Sequence, residues 1–267
     1  MPTIHPTAVL EGDIELADDV VIGPNCMLTG TIRIGAGTRL MGQNHIFGRS
    51  IIGEGNILWP GAIIGGAPQD IRFDPDCEDP GLVIGDRNIF REFATVHRGK
   101  TEEPTRIAND NYFMTSSHVG HDCILGSNIQ IATGAMLGGH VIVDDRVIVG
   151  GASAVHQFCR IGRGAMLGGA AGTTLDVPPW FMLTMISTCS SLNLIGMRRS
   201  GMDADEIMAR KWVFRTLYRE RRSVRNAVEV MKSRRDEPAV AEYIEFIEGS
   251  DRGICWGPKR KHGRSGA

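Results

Sequence analysis

From Ile4 to Ile64 every sixth residue is isoleucine or leucine: Ile4, Leu10, Leu16, Ile22, Leu28, Ile34, Leu40, Ile46, Ile52, Leu58 and Ile64. The beat resumes at Ile107 and runs through Phe113, Val119, Leu125, Ile131, Leu137 and Val143 to Leu167, and a short run of Ile84, Phe90 and Val96 keeps the same step. With 42% apolar residues overall, runs of this length are not chance. A helix repeats near 3.6 residues and a strand near 2, so a period of six fits neither as one long element. It fits a solenoid of short strands and turns that sends one apolar side chain inward per hexad.

The residue after the apolar position is often glycine, as at Gly23, Gly35, Gly120, Gly126, Gly138 and Gly150, where a backbone turn is expected. The residue four after it is often small, as at Ala8, Cys26, Ser117, Cys123, Ala135 and Ser153, which suits tight inner corners. This is the hexapeptide-repeat pattern. The expected fold is mainly β: a left-handed parallel β-helix shaped as a triangular prism, three hexads to the turn, with a C-terminal α-helical cap. Residues 18 apart then stack on adjacent coils at roughly 4.8 Å, the spacing of neighbouring strands. A sandwich of hairpins would instead show simple alternation and irregularly spaced turn dipeptides.

The 267-residue chain carries a net charge of −2, which is no signature of nucleic-acid binding. The start, MPTIHPTAVL, is no secretory signal, and no apolar run approaches the ~20 residues of a membrane span. The six cysteines include no CxxC pair, and Cys26, Cys123 and Cys159 fall at the small hexad position, so they read as buried thiols in a reducing, cytoplasmic setting.

The repeat breaks twice, at 66–82, with three prolines and five acidic residues, and at 97–106. Long excursions from a rigid scaffold tend to carry binding groups. The segment Asp176-Val-Pro-Pro-Trp180 is expected to end the pattern. Beyond it the spacing turns helical, with Asp203 as a cap and with Val224, Ala227, Val228, Met231 and then Val240, Tyr243, Ile244, Ile247 at helical intervals. The expected division is a prism over 1–190, a helical unit over 191–258 and a basic tail, 259–267, without assigned structure. Residues 198–235 hold twelve Lys/Arg against five Asp/Glu, a surface fit for an acidic partner.

Five of the eight histidines, His97, His118, His121, His140 and His156, lie between 97 and 156. The 18-residue rule stacks His121 on Gly139, Gly139 on Gln157, and Asp122 on His140. Such a neighbourhood suits a neutral base beside an accessible backbone N–H. His121 would take a proton from a hydroxyl with its tautomer held by Asp122, an effect of roughly 10²–10⁴ in rate. The N–H of Gly139 would meet a tetrahedral oxyanion, worth about 10²–10³. A different chemistry is a zinc hydratase with His97, His118 and His121 as ligands. Against it, HxxH rounds a corner of the prism instead of pairing adjacent coils, and the 66–82 excursion has no role there.

The segments IGGAPQDIRF (64–73), IGDRNIFREFATVHRG (84–99), SSHVGHDCILG (116–126), GGASAVHQFCRIG (150–162), DVPPW (176–180) and SLNLIGMRRSG (191–201) make the chain resemble the UDP-N-acetylglucosamine O-acyltransferases that begin lipid A synthesis. The resemblance implies a homotrimer with sites between prisms, moving a 3-hydroxyacyl chain from acyl carrier protein to the sugar 3-hydroxyl without a cofactor or metal. It implies His121 as general base, Asp122 as its aid and Gly139 as oxyanion donor. His97, His118, His140, His156 and Gln157 would line the pocket, Gln69, Asp70 and Arg72 would contact the sugar and phosphates, and Asn193 and Arg199 the nucleotide or carrier arm. After Trp180 the chain departs from the family: it is one residue shorter, lacks a Gly-Asn pair, and has Ile195 for a glutamate and Ser200 for an arginine. A 3-amino or other sugar acceptor is therefore the alternative.

Overall fold

A computed structural model describes residues 1–258 apart from 75, 76, 79 and 221; the basic tail lies outside the described residues. Short parallel strands wind into a solenoid with three walls. One wall stacks Ile89–Phe90, Tyr112–Phe113, Gln130–Ile131, Ile148–Val149 and Met166–Leu167. The second stacks Thr95–His97, His118–Val119, Met136–Leu137 and Ala154–Val155. The third stacks Thr105–Ile107, Ile124–Leu125, Ile142–Val143 and Arg160–Ile161.

The hexad side chains fill the interior: Leu28, Leu40, Ile46, Ile131, Val149 and Leu167 are each 0% exposed. Ile4, Leu10 and Leu16 are not buried, because they belong to the first coil and nothing stacks beneath it. The small inner residues Cys26, Ser117, Cys123, Ala135 and Ser153 are buried as expected.

The glycines after the apolar position answer to a different constraint from the one read in the sequence. Gly120 and Gly150 have no left-handed backbone. A Cβ at Gly150 would stand 2.6 Å from the Leu167 carbonyl oxygen, and one at Gly120 2.8 Å from the Gly139 nitrogen. Close approach of the next coil therefore requires glycine. The left-handed conformation falls two residues later, at Asp110, Asp122, Asn128, His140 and Arg146.

Both interruptions leave and rejoin along one edge of the prism, between the second and third walls. The first runs from Ile63–Gly66 to Leu82–Ile84, the second from Thr95–His97 to Thr105–Ile107. Stacking survives both: Thr95 pairs with Ile63, 32 residues away, and with His118, 23 away. On the lower coils the same edge is turned without interruption inside the eight-residue strands Val9–Leu16, Met27–Ile34 and His45–Ile52, at the stacked Gly12, Gly30 and Gly48.

The Pro178-Pro179 segment does not end the parallel stacking. Phe181–Met185 still pairs parallel with Met166–Leu167 and then turns back as an antiparallel hairpin with Thr188–Leu192. Helices follow: α1 (Leu194–Arg199), α2 (Ala204–Tyr218), α3 (Val224–Met231) and α4 (Pro238–Glu248). Asp203 caps α2, its Oδ1 accepting from the Glu206 N–H at 2.8 Å. Ala227, Val228, Met231, Val240, Tyr243 and Ile244 form the buried faces. Glu242 of α4 bridges Arg163 of the prism (2.9 Å) and the buried Arg210 of α2 (2.8 Å). Among the described residues no helix is long and apolar enough to cross a membrane.

Candidate active site

His121 and Asp122 occupy the turn after His118–Val119, on the edge that carries the two interruptions. The column expected from coil length is present: His140 N–H donates to the His121 carbonyl at 2.9 Å, and Phe158 N–H to the Gly139 carbonyl at 3.0 Å. The backbone at Asp122 is left-handed (φ 58°), and its carboxylate bridges His121 of its own coil and Lys100 and Thr101 of the second interruption.

Asp122 Oδ2 accepts from His121 Nδ1 at 2.5 Å. A carboxylate only accepts, so Nδ1 carries the proton and Nε2 is left as the basic nitrogen. Oδ1 accepts from the N–H groups of Lys100 and Thr101, both at 2.9 Å, and from the Thr101 hydroxyl at 2.7 Å. The Asp122 N–H donates to Thr105 Oγ1 at 2.8 Å. The side chains of His121 and Asp122 are 13% and 4% exposed. Burial pushes the Asp122 carboxyl up, but the hydrogen bonds from His121, Thr101 and Lys100 outweigh it and hold the group below the usual carboxylate range.

The His121 ring lies flat against Gly139: a Cβ there would stand 2.7 Å from both Cε1 and Nε2. The Gly139 N–H has no acceptor among the described residues, a property of this turn position that the N–H groups of His121 and Gln157 share. At residue 139 it belongs to the glycine against which the His121 ring packs.

His140 Nε2 is 3.6 Å from Asp122 Oδ2, and its ring stacks on half-exposed Phe158 at 4.4 Å. His118 Nδ1 meets Thr95 Oγ1 at 2.8 Å, and its ring lies 5.1 Å from that of His97. His97 donates Nδ1–H to the Ala67 carbonyl of the first interruption at 2.6 Å. Burial pulls His118 down to about 4 and lowers His97, so both are neutral at pH 7. His156 and Gln157 are exposed on the coil above.

Asp70 lies in the first interruption, its Oδ2 2.5 Å from Lys100 Nζ. Gln69 is exposed, and Arg72, 82% exposed, reaches Asp70 only at 3.6 Å. Asn193 and Arg199 do not join this cluster. They line a groove of about 560 Å³ on the first wall, with Gln130, Ile148, Met166 and Met182. The Asn193 amide is spent on structure: Oδ1 accepts from Gly196 N–H at the start of α1, and Nδ2 donates to the Gly164 carbonyl.

Sequence reasoning missed Lys100, Thr101 and Thr105. They sit within the second interruption, where the 18-residue rule fails, and nothing in their spacing marks them.

The ligand atoms of His121, Asp122 and His140 lie within 4.8 Å of one another, a possible metal set. Two ligands of one tetrahedral zinc, each about 2.0–2.1 Å from it, stand well over 3 Å apart. The 2.5 Å between His121 Nδ1 and Asp122 Oδ2 is a hydrogen-bond length, too short for both atoms to ligate one ion.

A family model described as UDP N-acetylglucosamine O-acyltransferase, domain 2, matches residues 176–255. A Stenotrophomonas maltophilia protein named acyl-acyl-carrier-protein–UDP-N-acetylglucosamine O-acyltransferase is 41% identical, covering 94% of this chain and 97% of its own. A Sinorhizobium fredii protein of the same name is 38% identical over 94% of both chains. The crystal structure of Francisella novicida UDP-N-acetylglucosamine acyltransferase superposes with a TM-score of 0.92 at 35% identity, covering 97% of this chain and 95% of that one.

Proposed function

Because the chain belongs to the acyl-carrier-protein-dependent UDP-N-acetylglucosamine O-acyltransferase family, we infer that it transfers a 3-hydroxyacyl chain from acyl carrier protein to the 3-hydroxyl of UDP-N-acetylglucosamine, the first step of lipid A synthesis. The observation that carries the residue roles is the His121–Asp122 pair set against the open Gly139 N–H. His121 Nε2 takes the proton of the sugar hydroxyl as its oxygen attacks the thioester carbonyl. The tetrahedral oxyanion accepts from Gly139 N–H. Collapse breaks the carbon–sulfur bond, and the carrier thiolate recovers the proton from His121 Nε2. Asp122 keeps the tautomer and stabilises the transient imidazolium. His97, His118, His140, His156 and Gln157 line the pocket walls, and Gln69, Asp70 and Arg72 meet the sugar nucleotide from the first interruption.

Arg199 faces a different wall from His121, so one prism does not bring both to one substrate. This supports a homotrimer in which the Arg199 groove of one chain completes the site of its neighbour. Asn193 shapes that groove by holding the start of α1. We take 1–190 as the catalytic prism and 191–258 as the unit that docks acyl carrier protein. Its positive surface is smaller than the residue count implies, since Arg210, Arg215, Arg222, Lys232 and Arg234 are held in ion pairs, which among the described residues leaves Arg198, Arg199, Lys211, Arg219, Arg225 and Arg235 for an acidic partner. The thiols of all six cysteines are free, which fits a cytoplasmic enzyme.

The 3-amino acceptor is not favoured, since the relatives are named for the hydroxyl acceptor. Replacing His121 by alanine is expected to abolish acyl transfer to UDP-N-acetylglucosamine while the melting curve stays unchanged. A variant that kept most of its turnover would end His121's assignment as base.

A further inference from the structure

The second interruption is tied to both halves of the site at consecutive residues. At one end its main chain and the Thr101 hydroxyl grip Asp122 Oδ1, at 2.9, 2.9 and 2.7 Å. At the other, the Lys100 ammonium meets Asp70 Oδ2 at 2.5 Å, with the two side chains 24% and 19% exposed. Asp70 in turn closes a turn of its own, accepting from Arg72 N–H at 2.9 Å. His97, which opens the same segment, binds the Ala67 carbonyl. The first interruption thus rests on the second, and the second rests on the carboxylate behind the base.

We propose that Lys100 and Thr101 are positioning residues that set the acceptor-binding segment 66–82 and the His121–Asp122 pair in fixed relation. Lys100 acts through Asp70 on acceptor binding. Thr101 acts through Asp122 on the orientation of the imidazole. The division follows from which atoms are used: among the described residues the Lys100 ammonium hydrogen-bonds Asp70 alone, while the contact of Lys100 with Asp122 is made by the backbone and survives substitution. A charge-assisted hydrogen bond of this kind is worth about ten-fold in binding or more.

The proposal rests on the acyltransferase reading given above, and steady-state kinetics on the full chain separate the two. Lys100→Met is expected to raise KM for UDP-N-acetylglucosamine about ten-fold with kcat held within about two-fold, and Lys100→Arg to recover most of that loss. In an Asp70→Asn background, Lys100→Met should add less than about two-fold, because its partner is already gone. Thr101→Val is expected to lower kcat about ten-fold with the acceptor KM unchanged, and Thr101→Ser to restore it. Unchanged kinetics in Lys100→Met and Thr101→Val, beside an inactive His121→Ala enzyme, overturn the clamp and leave the reading intact. An active His121→Ala enzyme overturns the reading itself. If Lys100→Met fails to fold, Lys100→Gln takes its place in the cycle with Asp70→Asn, and full additivity between them refutes the coupling.

Discussion

His118 and His97 face each other with ring centroids 5.1 Å apart, both below the usual imidazole range through burial, His118 at about 4. The unfolded chain takes up a proton at His118 near pH 6.5, which the folded chain refuses until about pH 4. This contribution to stability is therefore complete above pH 6.5 and is lost as pH falls through that window. The melting temperature should drop between pH 7 and pH 5 by more in the wild type than in a His118→Gln variant, a difference that thermal scans at the two pH values will read. Gly139 carries a second prediction. A methyl group there meets the His121 ring at 2.7 Å, and the ring is the freer partner. Gly139→Ala should lower kcat at least ten-fold with little change in melting temperature. The column His121, Gly139, Gln157 was legible because no residue is inserted above Val119, so counting by 18 stays valid. Lys100 and Thr101 were not legible: they stand in a five-residue excess over the 18-residue step between Thr95 and His118, and their positions depend on loop path.

At the level of elements, the hexad predicted short strands, and apolar burial enforces them. What spacing could not disclose is the reason for the following glycine, because crowding between coils is a contact across 18 residues and not a local turn preference. Nor could two prolines disclose that a further parallel strand follows them, since the strand's partner, Met166–Leu167, lies outside the local pattern. Helix α2 was readable from its Asp203 cap and α3 and α4 from their apolar spacing, but α1 and the seat of the helices on the prism were not. That seat depends on Glu242, which touches both Arg163 and the 2%-exposed Arg210. Removing its charge leaves the buried guanidinium, among the described residues, with only Glu206, 3.9 Å away and half-exposed. Glu242→Gln should destabilise the protein by about 2–4 kcal/mol in urea unfolding, whereas Arg163→Gln, at the half-exposed end of the same bridge, should cost under about 1 kcal/mol.

For the molecule as a whole, the wall that carries Arg199 and the edge that carries His121 are different surfaces of one prism. A chain with His121→Ala and a chain with Arg199→Ala should each be nearly inactive alone. Refolded together they should regain a measurable fraction of wild-type turnover, because mixed trimers contain junctions with both side chains intact. Mixing that yields no activity, with mixed trimers present by native mass spectrometry, counts against a shared site. Sedimentation should give three times the chain mass.

Both excursions leave and re-enter at the same edge, and the ladders close above them as though nothing had been added. Lengthening such a detour costs little, because closure entropy grows only with the logarithm of its length. The edge therefore tolerates added length only between fixed points: Lys100, Thr101 and Thr105 hold the Asp122 turn one coil above, and the rest of each detour is free to vary. Where a detour touches nothing its length is unconstrained; where it meets Asp70 or Asp122 its path is pinned to the residue.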